Sequence, residues 1–221
     1  MKEGRFKKIR DYIKRFFRQF WSLLWKDDSF RGWLFSIIFL FVFIKFILFP
    51  VLSLVTGSSL PLAIVESCSM YHDGNIFSDY ADWWQGHETK YENINVNKSE
   101  FDTFRFKNGL NKGDILFIIG IKPEKLKLGD IIIFNAGTQN PVIHRIIKIE
   151  RKVDGQGNLG VLTFSTMGDN NNGQLSAEIS IPENKLIGKT AIRVVPYLGW
   201  VKLIFFEHLK PESERGLCHE N

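Results

Sequence analysis

Ser67 and Ser69 lie two residues apart, and they are followed along the chain by His144 in a strand-like run and by Asp169 in a Gly-Asp-Asn turn. A hydroxyl, an imidazole and a carboxylate can together perform acyl transfer. The hydroxyl attacks a carbonyl, the imidazole takes its proton, and the carboxylate orients the imidazole. In an extended backbone, side chains two residues apart share one face. Ser69 could then attack while Ser67 donates to the oxyanion and Cys68 points away. These residues predict a serine hydrolase.

Each of these residues also has a competitor or a plainer interpretation. Cys68 could be the nucleophile, although this would leave the two serines without a role. Lys148 could be the base, but in a strand it would lie roughly 13 Å from His144, so both could not serve one site. His144 could also be a half-buried strand residue. Asp169 could be an ordinary turn residue, since Asp114 also follows a glycine.

Four further histidines lie in the middle of the chain or near its end: His72, His87, His208 and His219. The acidic neighbours of the first two do not complete a set of ligands at a spacing typical of metal sites. We therefore expect no metal and no cofactor.

An apolar stretch at residues 33–55 is interrupted by a single charge, Lys45. Its 23 residues exceed the roughly 20 that a helix needs to cross a hydrocarbon core. The stretch is too long and starts too late for a cleaved signal peptide. It predicts a transmembrane helix, which Pro50 would kink or bring towards its end.

The basic charge of the chain is concentrated before this stretch. Residues 1–32 hold ten Lys and Arg against four Asp and Glu, a net charge of +6, whereas the whole chain carries +5. Positively charged flanks stay in the cytoplasm, so we expect the N-terminus there and residues 56–221 outside the cell membrane. Residues 5–26 alternate apolar and basic positions at helical spacing, which indicates a helix lying on the membrane surface or one that docks a partner.

Residues 56–210 read as one extracytoplasmic catalytic domain with short apolar runs separated by turn residues. Since 44% of the chain is hydrophobic, global disorder is unexpected, and the lack of net basic charge argues against nucleic-acid binding. The runs predict a mostly β, antiparallel domain with strands at Ala63–Glu66, Asp114–Ile119, Asp130–Asn135, Val142–Arg151, Val161–Thr166 and Lys189–Val195.

Two segments break this pattern. Residues 72–108 are rich in aromatic and polar residues and predict an insertion, which could act as a lid or form a small structural excursion. Residues 211–221 are polar and predict a flexible tail. With only Cys68 and Cys218 present, and Cys218 in that tail, we expect no disulfide.

Six short motifs, in this order, resemble type I signal peptidase, serine peptidase family S26. They are Ser-Cys-Ser-Met at 67–70, Gly-Asp-Ile-Ile-Ile-Phe at 129–134, Ile-His-Arg-Ile-Ile at 143–147, Met-Gly-Asp-Asn-Asn at 167–171, Ile-Gly-Lys at 187–189 and Pro-Tyr-Leu-Gly-Trp at 196–200. Histidine at 144, where bacterial enzymes carry lysine, is similar to the archaeal and endoplasmic-reticulum branch. The resemblance implies a coiled antiparallel β-domain at the membrane surface, with Ser69 as nucleophile, His144 as base and Ser67 lining the oxyanion hole. Met70, beside the nucleophile, joins Ser67 in the substrate-binding set.

The chain departs from this family in three places. The proline that usually follows Ser-Met is absent, and the insertion at 72–108 is long. The endoplasmic-reticulum branch also carries an aspartate six residues beyond Gly-Asp, where this chain has Leu175. The carboxylate that orients His144 would then be Asp169 or Glu178.

The resemblance implies a membrane-bound serine endopeptidase that removes signal peptides from exported preproteins at small-x-small sites. Its expected partners are these preproteins, membrane lipid and components of the secretion machinery. Two alternatives stay open at this point. One is a processing peptidase dedicated to a single class of precursor. The other is a non-catalytic, membrane-anchored β-domain that binds exported chains.

Overall fold

The structure is a computed structural model that describes residues 2–73, 81–138, 140–153 and 159–219. The chain forms two compact units, Met1–Val55 and Thr56–Asn221. The first is helical, and the second is built on one antiparallel sheet.

A long apolar helix dominates the N-terminal part of the chain. It runs from Phe30 to Thr56 as α2 (Phe30–Phe43), a π-helical turn (Ile44–Leu48) and α3 (Phe49–Thr56). The π-helical turn ends two residues before Pro50, whose ring removes one backbone donor. Phe49 N donates to Ile44 O across the wider turn. The helix therefore continues past Pro50, and its 27 residues are enough, by length and composition alone, to cross a membrane.

The helix α1 (Lys2–Trp25) covers the segment that we expected to be amphipathic. It packs on α2 through aromatic rings, with Phe20 5.7 Å from Phe35 and 5.2 Å from Phe39 between ring centroids. Ser36 Oγ on α2 donates to Leu24 O on α1 at 3.0 Å. The expected helix is present, and it forms a hairpin with the apolar helix.

Seven antiparallel strands form the sheet of the second unit. They are β1 (Leu62–Ile64), β2 (Ile115–Ile119), β3 (Ile131–Phe134), β4 (Val142–Val153), β5 (Leu159–Met167), β6 (Ile181–Pro182) and β7 (Leu186–Val195). Their order is β1-β2-β7-β3-β4-β5-β6, so β1 lies at an edge. All six predicted strands are present within a few residues of their expected bounds. The two-residue β6 is too short to leave a periodic signal.

Both faces of the central strand β3 are buried. Ile131 and Ile133 enter one hydrophobic cluster, which they share with Leu116 and Ile118 of β2. The alternate residues Ile132 and Phe134 enter a second cluster with Ile146 of β4 and Phe164 of β5. Because successive side chains of a strand point to opposite faces, β3 joins the two clusters and fixes β4 beside it.

The segment 72–108 departs from the all-β expectation. It contains α4 (Ala81–Glu92) and α5 (Lys98–Phe101), while residues 74–80 lie outside the described part. Trp83, Trp84 and Tyr91 of α4 pack with Phe101 in a third, aromatic cluster. The predicted insertion is therefore a helical element with its own core, and the second unit mixes helices with its sheet.

The expectation that the cysteines stay unpaired is wrong. Cys68 and Cys218 form a disulfide, with their Cα atoms 5.3 Å apart, although 150 residues separate them in sequence. The chain beyond α6 (Trp200–Leu203) returns to the domain, where the buried Lys112 Nζ donates to Glu214 O at 2.7 Å. The described part of the predicted flexible tail is thus fastened to the domain. Sequence alone could not reveal a contact between residues so far apart.

Candidate active site

Ser69 lies in the turn that follows β1, and two hydrogen bonds fix the backbone at Ser69 and at Met70. Ser69 O accepts a hydrogen bond from Asn170 N at 2.8 Å, and Met70 O accepts one from Leu110 N at 2.7 Å. A Cβ at Gly168 would come within 2.7 Å of Ser69 O, so only glycine permits this close approach. Oγ of Ser69 lies 3.1 Å from Oγ of Ser67. The two predicted hydroxyls therefore converge.

His144 extends from β4 towards Ser69. Its partner across the sheet is Ile132 of β3, and the side chain is almost fully buried. The Nε2 atom of His144 lies 2.8 Å from Ser69 Oγ. This distance is within the range in which a base can take a proton from a hydroxyl.

Glu178 occupies the other side of the imidazole. It ends a single 3₁₀ turn (Ser176–Glu178), and its Oε1 is hydrogen-bonded to Nδ1 of His144. Thr166 Oγ1 also donates to Oε1 at 3.2 Å, and Leu175 N donates to Oε2 at 2.7 Å. An ionised carboxylate accepts hydrogen bonds, so Glu178 holds the proton of His144 on Nδ1 and leaves Nε2 to accept.

Asp169 lies elsewhere, although we expected it to be a candidate partner of His144. Its carboxylate is fully buried and accepts from Arg145 Nη2 at 2.6 Å and Tyr91 OH at 2.8 Å, with His72 Nε2 at 2.9 Å. His144 and Arg145 are consecutive on β4, so they point to opposite faces, and Asp169 lies on the face of Arg145.

The electrostatics of this cluster favour a permanently ionised Asp169. Burial alone would raise the pKa of its carboxyl, but Arg145 and His72 together hold it well below the usual range. Burial lowers the pKa of His72, although Asp169 opposes that shift, so His72 stays neutral more readily than a free histidine. The cluster is a compensated buried ion pair.

The helix α4 fastens the loop that carries Asp169. Lys90 Nζ donates to Asp169 O at 2.6 Å and to Asn171 O at 2.7 Å. Burial lowers the pKa of Lys90 to about 8. The roles of Arg145, Lys90 and Tyr91 in this region could not be predicted from the sequence. Only Arg145 left a signal, as a charge among the apolar residues of β4.

Met70 does not face this site. Its side chain is 1% exposed and packs with Ala63, Val65 and Leu110 in the core. The structure therefore places the sulfur and methylenes of Met70 away from the surface that a substrate could reach, whereas its backbone stays beside Ser69.

A groove of about 590 Å³ opens onto Ser69 and His144. Its apolar walls include Leu62 and Ile64 of β1 and Ile143 of β4. Charged residues lie along part of its rim, namely Glu66, Lys202, Lys210 and Glu214. The groove is therefore a mainly apolar surface with the Ser69 hydroxyl on it and charge on part of its border.

Comparison with known proteins gives one consistent relationship. Over 105 residues the chain is 30% identical to the protein named signal peptidase complex catalytic subunit SEC11C in Homo sapiens, Canis lupus familiaris and Mus musculus. This stretch is 45% of the chain and 52% of each relative, so the chain spans about half the length of the curated relatives it matches. No protein-family profile matches the chain.

Proposed function

Because this chain is related to the type I signal peptidases of family S26, we propose that it is a membrane-bound serine endopeptidase that removes signal peptides from preproteins. The observation that carries the proposal is the line of contacts from Ser69 Oγ through His144 to Glu178. A nucleophile, a base and an orienting carboxylate in hydrogen-bond contact are what acyl transfer requires.

In the proposed reaction, Ser69 Oγ attacks the carbonyl carbon of the scissile peptide bond and His144 Nε2 takes its proton. Glu178 stabilises the imidazolium through Nδ1. His144 then protonates the leaving amine, which departs as the new N-terminus of the mature protein. Water, activated by the same imidazole, releases the signal peptide from Ser69.

Ser67 is the proposed oxyanion donor. Its hydroxyl lies 3.1 Å from Ser69 Oγ, so it can donate to an oxygen that develops negative charge next to the attacked carbon. In the structure the two hydroxyls are hydrogen-bonded to each other. This contact would break when Ser69 Oγ attacks, and the hydroxyl of Ser67 would then be able to donate to the oxyanion.

The edge strand β1 supports a peptide as the substrate. β1 pairs with β2 on one side, and Leu62 and Ile64 of β1 line the groove. An extended peptide can add to such an edge through backbone hydrogen bonds, while shallow side-chain pockets select small residues. We propose that the small-x-small site of a preprotein lies in this groove.

Four features support the proposed membrane topology. The apolar helix Phe30–Thr56 is long enough to span a bilayer, and the basic excess of residues 1–32 favours a cytoplasmic N-terminus. The Cys68–Cys218 disulfide fits an oxidising compartment for the sheet domain. Strongly exposed apolar side chains near the C-terminal end could contact lipid, among them Val201, Ile204, Phe205 and Leu209.

The decisive experiment is a cleavage assay on the full-length protein in detergent, beside its Ser69→Ala variant. Each is incubated with a preprotein that carries an Ala-x-Ala site, and new N-termini are identified by mass spectrometry. We expect a cut after the second alanine by the wild type only. Binding of the preprotein without a cut by folded wild type would favour the non-catalytic alternative. Cleavage of one precursor among many would favour the dedicated peptidase.

A further inference from the structure

Residues 207–219, here called the strap, follow the short helix α6 and return to the domain. Their central anchor is Lys112, which is 1% exposed. Lys112 Nζ donates to Glu207 Oε2 at 2.8 Å, to Glu214 O at 2.7 Å and to Gly216 O at 3.1 Å. A buried ammonium that finds three acceptors in one segment fixes the path of that segment.

The strap reaches the groove through Lys210. Both Lys210 and Glu214 line the groove. Lys210 Nζ donates to the backbone oxygen of Glu66 at 2.5 Å, and Glu66 directly precedes Ser67. The strap therefore holds the groove wall that leads from β1 to the proposed reactive hydroxyls.

A covalent bond closes the other end of the strap. Cys218 is joined to Cys68, which lies between Ser67 and Ser69. Asn170 Nδ2 bridges the same two segments, because it donates to Cys68 O at 3.1 Å and to His219 O at 3.0 Å. The strap is thus attached to the chain both one residue before Ser67 and one residue after it.

We propose that the strap is one wall of the substrate groove and that Lys210 and Cys218 are positioning residues that shape this groove for the preprotein. This inference rests on the function proposed above. Ser69 has its own anchors, since Asn170 N donates to Ser69 O and Leu110 N donates to Met70 O, both on the C-terminal side of Ser69. Ser67 is also held from the side of Ser69, through the contact of 3.1 Å between their hydroxyl oxygens. Loosening the strap therefore weakens substrate binding more than it slows the chemical step.

Cys218→Ser and Lys210→Met test this in the full-length protein, with Lys148→Met as the matched control. Lys148 lies on β4, and its side chain is 61% exposed. Within the described residues its ion-pair partner is Glu150, two positions further along the same strand. We expect each strap variant to raise KM about ten-fold with kcat within about three-fold of wild type, whereas the control changes neither. Cys68→Ser combined with Cys218→Ser should raise KM no more than Cys218→Ser alone, because both remove one bond.

Reduction of the folded wild type provides the same test without mutation. A phosphine reduces the disulfide with two electrons and two protons, giving the thiols of Cys68 and Cys218, while water supplies the oxygen of the phosphine oxide. KM should rise on reduction and return on reoxidation. Unchanged KM in Lys210→Met and in the reduced enzyme would overturn the proposal, as would a fall in kcat at constant KM. If Cys218→Ser does not fold, the KM values of Lys210→Met and of the reduced wild type still test the proposal.

A binding measurement separates this inference from the proposed function. Peptide affinity is compared for Ser69→Ala with and without Lys210→Met, using a signal peptide with an Ala-x-Ala site. A wild type that cuts nothing would refute the peptidase activity, while weaker binding with Lys210→Met would still support the strap as a groove wall. Cleavage that depends on Ser69, with equal peptide affinities, would leave the peptidase standing and refute the role of the strap.

Discussion

His144 and Arg145 are neighbours on β4 that serve two different clusters. His144 contacts Glu178, whereas Arg145 holds the buried Asp169. Two carboxylates within ten residues of each other, Asp169 and Glu178, therefore have different surroundings. The difference follows from the alternation of side chains along a strand. It predicts that replacing the two carboxylates by the corresponding amides will have different effects on catalysis and on stability.

Glu178→Gln should lower kcat by about 10²- to 10⁴-fold with little change in thermal midpoint, because the amide no longer stabilises the imidazolium of His144. Asp169→Asn should instead destabilise the domain by about 3–5 kcal/mol, since it leaves Arg145 buried without its counter-charge. Steady-state kinetics and urea unfolding on both variants measure the two effects. A larger loss of kcat in folded Asp169→Asn than in Glu178→Gln would assign the orienting role to Asp169.

Ser67→Ala should lower kcat by about 10²- to 10³-fold and leave KM nearly unchanged, because the proposed oxyanion contact strengthens only in the transition state. Ser58→Ala is the matched control, since Ser58 is a buried hydroxyl in the same domain that donates to Ile187 O. Single-turnover cleavage measures the chemical step directly. Equal rates for Ser67→Ala and wild type would show that the backbone alone stabilises the oxyanion.

At the residue scale, the sequence alone leads to Ser67, Ser69 and His144, because their types and order suit the proposed chemistry. It leaves the carboxylate open between Asp169 and Glu178. Leu175 occupies the position where the resembling branch has aspartate, yet the 3₁₀ turn after it carries Glu178 back to His144. The carboxylate therefore comes three residues later in the chain, and the 3₁₀ turn brings it back to the imidazole. Backbone geometry of this kind is not revealed by the spacing of residues in the sequence.

At the scale of elements, α4 supports the loop at 168–171 from behind. Tyr91 of α4 donates to Asp169, and Lys90 donates to two carbonyls of the loop. That loop in turn donates to Ser69 O through Asn170 N. The segment predicted as an insertion is therefore connected to Ser69, the proposed nucleophile, through two successive sets of hydrogen bonds.

Tyr91→Phe should lower the free energy of unfolding by about 1.5–3 kcal/mol, because a fully buried hydroxyl that donates to a carboxylate is lost. Tyr71→Phe is the control, since its hydroxyl donates to Asp73 at the surface and should cost less than about 0.5 kcal/mol. Urea denaturation of both variants provides the comparison. Equal stabilities for the two would mean that α4 does not support the loop through Tyr91.

The elements themselves were predictable to different degrees. The strands of the sheet follow from runs of Ile, Val and Phe, and the apolar helix follows from its length. α4 was missed because only three of its residues, Trp83, Trp84 and Tyr91, form its buried face. The positions between them on that face are the polar His87 and Glu88, so no continuous apolar stripe marks the helix. The Cys68–Cys218 bond was missed because it depends on the path of the whole chain.

At the scale of the whole domain, stability should fall with acid. The pKa of His72 is lowered in the folded state, so the unfolded chain binds a proton first, at about its ordinary value of 6.5. Stability from this group is therefore present above pH 6.5 and is lost as pH falls below it. The pKa of Asp169 is lowered too, so its contribution is lost at still lower pH, below about 4.

His72→Gln should remove the part of this dependence that lies just below pH 6.5, because glutamine can donate to Asp169 without titrating. His208→Gln, at an exposed position, serves as the control and should follow the wild type. Thermal midpoints recorded from pH 4 to 8 measure the difference. Parallel curves for His72→Gln and wild type would show that protonation of His72 is not linked to unfolding.

The membrane topology is tested on the complete chain, because the basic excess and the apolar helix act together. With a tag at each end, protease added outside bacterial spheroplasts should remove the C-terminal tag and leave the N-terminal tag until detergent is added. Changing Lys14, Arg15 and Arg18 to Gln should increase the fraction of inverted molecules, since positive residues near the helix hold their flank in the cytoplasm. Changing Lys122, Lys125 and Lys127 of the sheet domain to Gln removes the same charge more than 60 residues along the chain from the helix, and should not increase that fraction. An N-terminal tag cut first in the wild type would reverse the proposed orientation and place Ser69 in a reducing compartment, where the Cys68–Cys218 bond would not persist.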